Sequence, residues 1–186
     1  MMRRVSSTCR FFAAAKQGVA AVEFALILPI LVVMLLATFD CGRAIAAYMK
    51  MRAATYSLAS ITNQYSTIQS VDMTAILGAT SVVMSPYSSG SPGVVISQIK
   101  INNSGISKIE WSAAQNATAR TINSTVSPPS AMVVNSSYLI LAEVSYTYVP
   151  VFGFFGTSSG ITFSDSLYVT PRSVSCVVYV PQSSTC

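Results

Sequence analysis

The sequence predicts an α+β protein in which a long N-terminal helix, part transmembrane and part stalk, precedes a small antiparallel β-sheet domain. The first observation is an apolar run of 21 residues, Val19–Phe39, interrupted only by Glu23 and Pro29. The second is that helical composition continues beyond this run to Thr67. The third is that apolar residues alternate with a period of two from about residue 93 onward, as in half-buried strands.

The composition indicates a membrane-bound or exported chain and argues against an enzyme. Of its 186 residues, 52% are apolar and 9% are charged, with a mean hydropathy of +0.55; soluble domains carry about 25% charged residues. There is no histidine, which excludes Ser-His-Asp, Cys-His and histidine-zinc sites. The acidic residues of the predicted β domain are isolated, and the cysteines lack metal-ligand spacing. We therefore expect no enzymatic activity, cofactor or metal.

The net charge of +5 originates at one end of the chain. Residues 1–18 form a basic leader, whereas the chain from Gly18 onward holds seven basic and six acidic residues. A basic face for nucleic acid is therefore not expected. The leader bases precede the apolar run and outnumber the three that soon follow it, which predicts a cytoplasmic N-terminus and an exported C-terminal domain. The leader bases are Arg3, Arg4, Arg10 and Lys16.

The apolar run has the length of a membrane span. As a helix, residues 19–39 measure roughly 31 Å, about the thickness of a bilayer's hydrocarbon core. The run is too long for the apolar region of a secretory signal, which has about 7 to 15 residues. A lipoprotein signal is excluded because Asp40 precedes Cys41. A carboxylate at mid-membrane costs about 2.5 to 3.5 kcal/mol. Glu23 therefore lies at headgroup level in the first helical turn, or it has a partner.

The stretch Lys16-Gln17-Gly18-Val19-Ala20-Ala21-Val22-Glu23-Phe24 resembles the processing site of type IV prepilins and pseudopilins. The longer block GVAAVEFALILPILVVMLLATFDCGRAI is similar to the start of TadE/TadG-like minor pseudopilins of the tight-adherence (Tad) pilus. The resemblance implies cleavage by a prepilin peptidase between Gly18 and Val19 and a pilin-like fold. It also implies that Glu23 and Phe24 serve recognition and assembly, with Glu23 pairing with the N-terminal amine of a neighbouring subunit.

The function implied by the resemblance is that of a minor pseudopilin, a structural subunit of a Tad (Flp-type) pilus used in surface adherence. Its implied partners are the prepilin peptidase, other pilins and pseudopilins, the Tad inner-membrane platform and the lipid bilayer. It would cross the inner membrane once, with its C-terminal domain in the periplasm, and enter the extracellular pilus on assembly. The alternative is a membrane-anchored, adhesin-like binding domain that is not processed. The N-terminal sequence of the native protein separates the two.

The exported part divides into a helical region, residues 40–92, and a β-rich region, residues 93–186. The helical region contains the stalk and a second helix, Val71–Met84. The stalk is indicated by side chains spaced at three and four: Ile45, Tyr48, Met49, Arg52 and Tyr56. Five strands are predicted from β-branched and aromatic runs, namely Val94–Ile101, Ile106–Ser112, Tyr138–Val149, Ile161–Thr170 and Val174–Val180.

The four cysteines separate by compartment. Cys9 would leave with the leader and Cys41 lies at the membrane exit, so Cys176 and Cys186 belong to the exported domain. Their separation of ten residues permits a disulfide that closes the C-terminal loop. Two free thiols remain the alternative.

Overall fold

The computed structural model describes residues 17–87, 91–153, 160–182 and 184. The chain divides into two compact units, Met1–Gly42 and Arg43–Cys186. The basic part of the predicted leader, residues 1–16, and Cys186 lie outside the described residues.

The described part of the first unit is helical. Helix α1 runs from Gln17 to Thr62 and continues past Pro29. Within the first unit its apolar side chains point into open space, with Leu26 71% and Leu35 69% exposed. Among the described residues, this is the one helix long and apolar enough to cross a membrane. Its exposed apolar surface is compatible with a single-pass, membrane-anchored protein.

The second unit combines the C-terminal part of α1 with a second helix and six strands. Helix α2 is Ser70–Met84, and its start is capped by Asp72, whose Oδ2 accepts the backbone N–H of Gln69 at 3.1 Å. The strands are β1 Thr67–Ile68, β2 Gly93–Ile101, β3 Ser107–Gln115, β4 Ser137–Tyr148, β5 Ile161–Val169 and β6 Val178–Tyr179, with short 3-10 helices at Ser130–Met132 and Val180–Gln182.

Four of the strands form one antiparallel sheet in the order β3-β2-β4-β5, and β1 and β6 form a separate parallel pair. The register places Val94 opposite Val144 and Val144 opposite Asp165. The β2–β3 register shifts between Gln98 and Ile99. A long apolar helix followed by an antiparallel sheet confirms the predicted α+β class.

Each face of the sheet carries its own apolar cluster because side chains alternate along a strand. One face packs on the two helices, with Ile96, Trp111 and Ile140 against Met51 and other helical residues. The opposite face packs against the segment between β3 and β4. This second cluster comprises Ile99, Ile101, Ile109, Leu139 and Leu141, covered by Val126, Met132, Val133 and Tyr168.

The predicted strand Val174–Val180 is mostly absent. Only Val178–Tyr179 is a strand, and it pairs with Thr67–Ile68 rather than with the main sheet. The reason lies in the preceding residue, Val177. Its N–H donates to Gln98 Oε1 at 2.7 Å, and its carbonyl accepts the Trp111 Nε1–H at 2.8 Å. Side chains therefore occupy the backbone groups that a ladder would use.

Candidate functional site: the N-terminal assembly segment

The predicted cleavage bond, Gly18–Val19, lies in the first turn of α1 and is exposed. A Cβ built on Gly18 would meet nothing within 4 Å. The described part of the chain therefore has room for a larger residue at this position. Packing against the described residues therefore does not require glycine here, and a glycine leaves room for a molecule that approaches the segment closely.

Glu23 and Phe24 lie one turn further along α1, and both are exposed. Glu23 has no ion pair or hydrogen bond with the described residues of the chain. Positions four apart on a helix are neighbours, so the Glu23 side chain lies above the turn that contains Val19. Both interpretations given by the sequence therefore remain open for Glu23: a position at headgroup level, or a partner outside the described residues.

Asp40 is a buried residue whose environment the sequence did not indicate. It is 1% exposed, whereas the neighbouring Cys41 and Gly42 are exposed. The sequence analysis used Asp40 only to exclude a lipoprotein signal and assigned it no role. The only signal in the sequence was its position directly after the apolar run. Cys41 has a free, exposed thiol.

The C-terminal segment is tied to the end of α1 by its backbone. The N–H groups of Arg172 and Val178 donate to the carbonyls of Asn63 and Ser66 at 3.1 and 3.0 Å. Cys176 is buried and disulfide-bonded. Its expected partner, Cys186, lies outside the described residues, so the pairing of these two cysteines stays a prediction.

The stalk residues that indicated a helix lie on its exposed side. We call Ile45, Tyr48, Met49, Arg52 and Tyr56 the stalk stripe. Met49 is 65% and Tyr56 is 64% exposed, because the opposite side of α1, which includes Met51, faces the core. Two members touch β5: the Tyr48 ring meets the Phe163 ring edge-on at 5.6 Å, and Arg52 Nε lies 4.0 Å from Asp165 Oδ2.

A bidentate ion pair on the outer face of the sheet was also missed by the sequence analysis. Arg120 donates from Nε and Nη2 to the two carboxylate oxygens of Glu143, each at 2.7 Å. The hydrogen bonding of Arg120 to the Glu143 carboxylate is the main cause that raises the pKa of Arg120 above its ordinary value. Glu143 looked isolated because its partner is 23 residues away in sequence. Among the described residues, no group of three or more acidic, cysteine or histidine side chains could hold a metal.

Residues 18–60 match the family model of TadE-like protein. The chain carries a TadE-like segment. The match lies wholly within α1 and includes the predicted processing and assembly residues, Gly18, Val19, Glu23 and Phe24. TadE-like proteins are a family of structural pilus components. No curated protein and no solved structure matches the chain.

Proposed function

We propose that this protein is a minor pseudopilin, a structural and assembly subunit of a Tad (Flp-type) pilus used in surface adherence. The observation that carries the proposal is Glu23, an exposed carboxylate without a partner among the described residues, at the start of an apolar TadE-like helix. An unpaired charge in such a helix is unfavourable in lipid. It becomes favourable when another subunit supplies a positive group.

Processing between Gly18 and Val19 creates such a positive group. A prepilin peptidase acting at the cytoplasmic face removes the basic leader and leaves the ammonium of Val19. The apolar helix stays in the inner membrane, and the second unit, Arg43–Cys186, lies in the periplasm; we call it the exported unit. The Glu23 carboxylate of one subunit then pairs with the Val19 ammonium of its neighbour. Opposite charges attract more strongly among packed apolar helices than in water, and removing either one leaves the other buried and uncompensated.

The stalk stripe gives independent support for assembly. Ile45, Met49 and Tyr56 are large apolar or aromatic side chains that the core of the exported unit does not use. A row of such side chains on one helix face is typical of a surface that another protein covers. In this proposal the covering surfaces belong to other pilins, pseudopilins and the Tad inner-membrane platform.

N-terminal sequencing of the protein purified from its native membrane tests the processing step. The expected start is Val19 when the host's prepilin peptidase is present and Met1 when its gene is deleted. Gly18→Val should block cleavage because a branched side chain obstructs the close approach of the protease. Gly42→Val is the matched control, since both glycines lie on α1 with nothing within 4 Å of a Cβ. A native start at Met1 with the peptidase present would overturn the proposal in favour of the unprocessed binding domain.

Glu23→Gln tests the pairing step. The change keeps the side-chain shape and removes the charge, so membrane insertion should stay normal. The number of pili should fall at least tenfold when equal amounts of protein that starts at Val19 are compared. Glu110→Gln, which removes a carboxylate that lies 3.9 Å from Lys100 in the exported unit, is the charge-loss control and should leave piliation unchanged. Normal piliation in Glu23→Gln would exclude the proposed pairing.

A further inference from the structure

The outer face of the sheet, opposite the helices, contains a groove of about 510 Å³. Its floor is formed by β2, β4 and β5, and one wall is formed by the segment that follows β3. This volume lies within the range of small-molecule sites, about 300 to 1,000 Å³. The polar side chains that line it are Thr118, Arg120, Glu143, Ser145, Ser164 and Ser166.

The groove is held in shape by contacts of its own. The bidentate bond to Glu143 fixes the guanidinium of Arg120, and the backbone N–H of Arg120 donates to Ser112 Oγ at 3.0 Å. Gly93 sits in the floor, where a Cβ would lie 2.7 Å from Ser145 Oγ. A side chain at this position would displace Ser145, so glycine leaves the floor open.

The polar groups of the groove retain unused hydrogen-bonding capacity. Arg120 Nη1 and the hydroxyls of Thr118, Ser164 and Ser166 make no hydrogen bond with the described residues. Thr118, Ser164 and Ser166 are exposed. Guanidinium N–H groups donate, carboxylate oxygens accept and hydroxyls do both. The groove therefore offers fixed donors and acceptors side by side to a ligand.

The charges of the groove select among ligand classes. Arg120 and Glu143 neutralise each other. The side chain of Asp165 points to the helix face of the sheet, where it lies 4.0 Å from Arg52, and adds no charge to the groove. The Glu143 carboxylate would repel an anionic ligand, and the Arg120 guanidinium would repel a cationic one. An apolar ligand would take the ion pair out of water without replacing its hydrogen bonds. A neutral molecule rich in hydroxyl groups meets none of these penalties.

We propose that this groove binds a neutral saccharide. Adjacent sugar hydroxyls accept from Arg120 Nη1 and donate to a Glu143 oxygen, while the serine hydroxyls of β5 bond the rest of the ring. The site belongs to the exported unit and does not depend on processing at Gly18. It would give a surface subunit of the pilus direct contact with glycans, and it would serve an unprocessed exported domain equally well.

Ligand titration of the full-length chain in phospholipid nanodiscs tests the proposal, since glycoside detergents would compete for the groove. The probes are free D-glucose, D-galactose, D-mannose and N-acetyl-D-glucosamine, with D-galacturonate as the anionic and D-glucosamine as the cationic counterpart. Saturation-transfer NMR gives the affinity of each. At least one neutral sugar should bind saturably with a Kd on the order of 1 mM. Both charged counterparts should bind at least tenfold more weakly.

Variants connect the binding to the groove. Ser164→Ala with Ser166→Ala removes two unbonded hydroxyls and should weaken sugar binding at least fivefold without altering the fluorescence of the buried Trp111. Glu143→Gln should weaken it about tenfold. Ser127→Ala, an exposed serine on the segment between β3 and β4, is the control and should bind normally. Absence of binding by all four neutral sugars, equal binding of galacturonate, or full affinity in the double serine variant would each overturn the proposal. None of these results would alter the Val19 start expected for the pseudopilin.

Discussion

The two units of the chain are both rich in apolar residues but differ in how far these side chains are exposed. In the first unit, the large apolar side chains of α1, such as Leu26 and Leu35, are exposed. In the second unit, Met51, Ile96 and Trp111 have no exposed surface at all. The second unit therefore buries its own apolar core. The apolar side chains of the first unit need another medium, such as the lipid of a membrane or the neighbouring helices of the pilus that we propose.

The largest effect on stability is expected from a cavity in the core of the second unit. Ile96→Ala removes a completely buried side chain from the cluster that includes residues of both helices, and should lower the free energy of unfolding by about 2 to 5 kcal/mol. Trp111 is the single tryptophan and is buried, so its fluorescence reports denaturant unfolding of this unit. Ile30→Ala, the same change at an exposed position in the first unit, should leave that transition unchanged. Equal destabilisation by the two variants would contradict the contrast between the units.

Removal of the disulfide should have the next largest effect. Cys176→Ser should cost about 2 to 3 kcal/mol of unfolding free energy if the loop closes at Cys186, as a bond across ten residues constrains the unfolded chain. Cys41→Ser removes a free, exposed thiol and should cost nothing measurable. Peptide mapping without reduction identifies the partner of Cys176. A Cys176 peptide linked to Cys9 or Cys41 would show that the predicted loop is wrong.

A smaller effect, seen in assembly rather than in folding, is expected from the stalk stripe. Met49→Glu places a charge on the exposed side of α1 and should change the unfolding free energy by less than about 0.5 kcal/mol. The amount of protein recovered in sheared pili should nevertheless fall several-fold. Lys50→Glu changes the next residue, which is also exposed but points away from the stripe. If both variants assemble normally, the stripe is not an interface.

The sequence was sufficient for the features that depend on local periodicity. Alternation with a period of two located β2 and β4 to within one or two residues, and a single charge in an apolar run singled out Glu23. Pairing between distant segments was not visible in this way. The β propensity of residues 174–180 did not reveal that the side chains of Gln98 and Trp111 would hydrogen-bond to the backbone of Val177. Helical spacing likewise located the stalk stripe without showing which side of the helix the sheet would cover.

The smallest effect concerns the ion pair on the outer face of the sheet. The side chains of Arg120 and Glu143 are 38% and 27% exposed, so a double-mutant cycle with Arg120→Met and Glu143→Gln should give a coupling of no more than about 1 kcal/mol. Glu143 raises the pKa of Arg120, so the stabilisation from this shift is complete below the ordinary pKa of arginine and is lost only as the pH rises past the raised value. The coupling should therefore be equal at about pH 7 and about pH 9. A fall in the coupling energy from about pH 7 to about pH 9 would show that another titrating group holds Arg120 in place. A measurable coupling energy that is the same at both pH values would identify Glu143 as the residue that fixes the guanidinium.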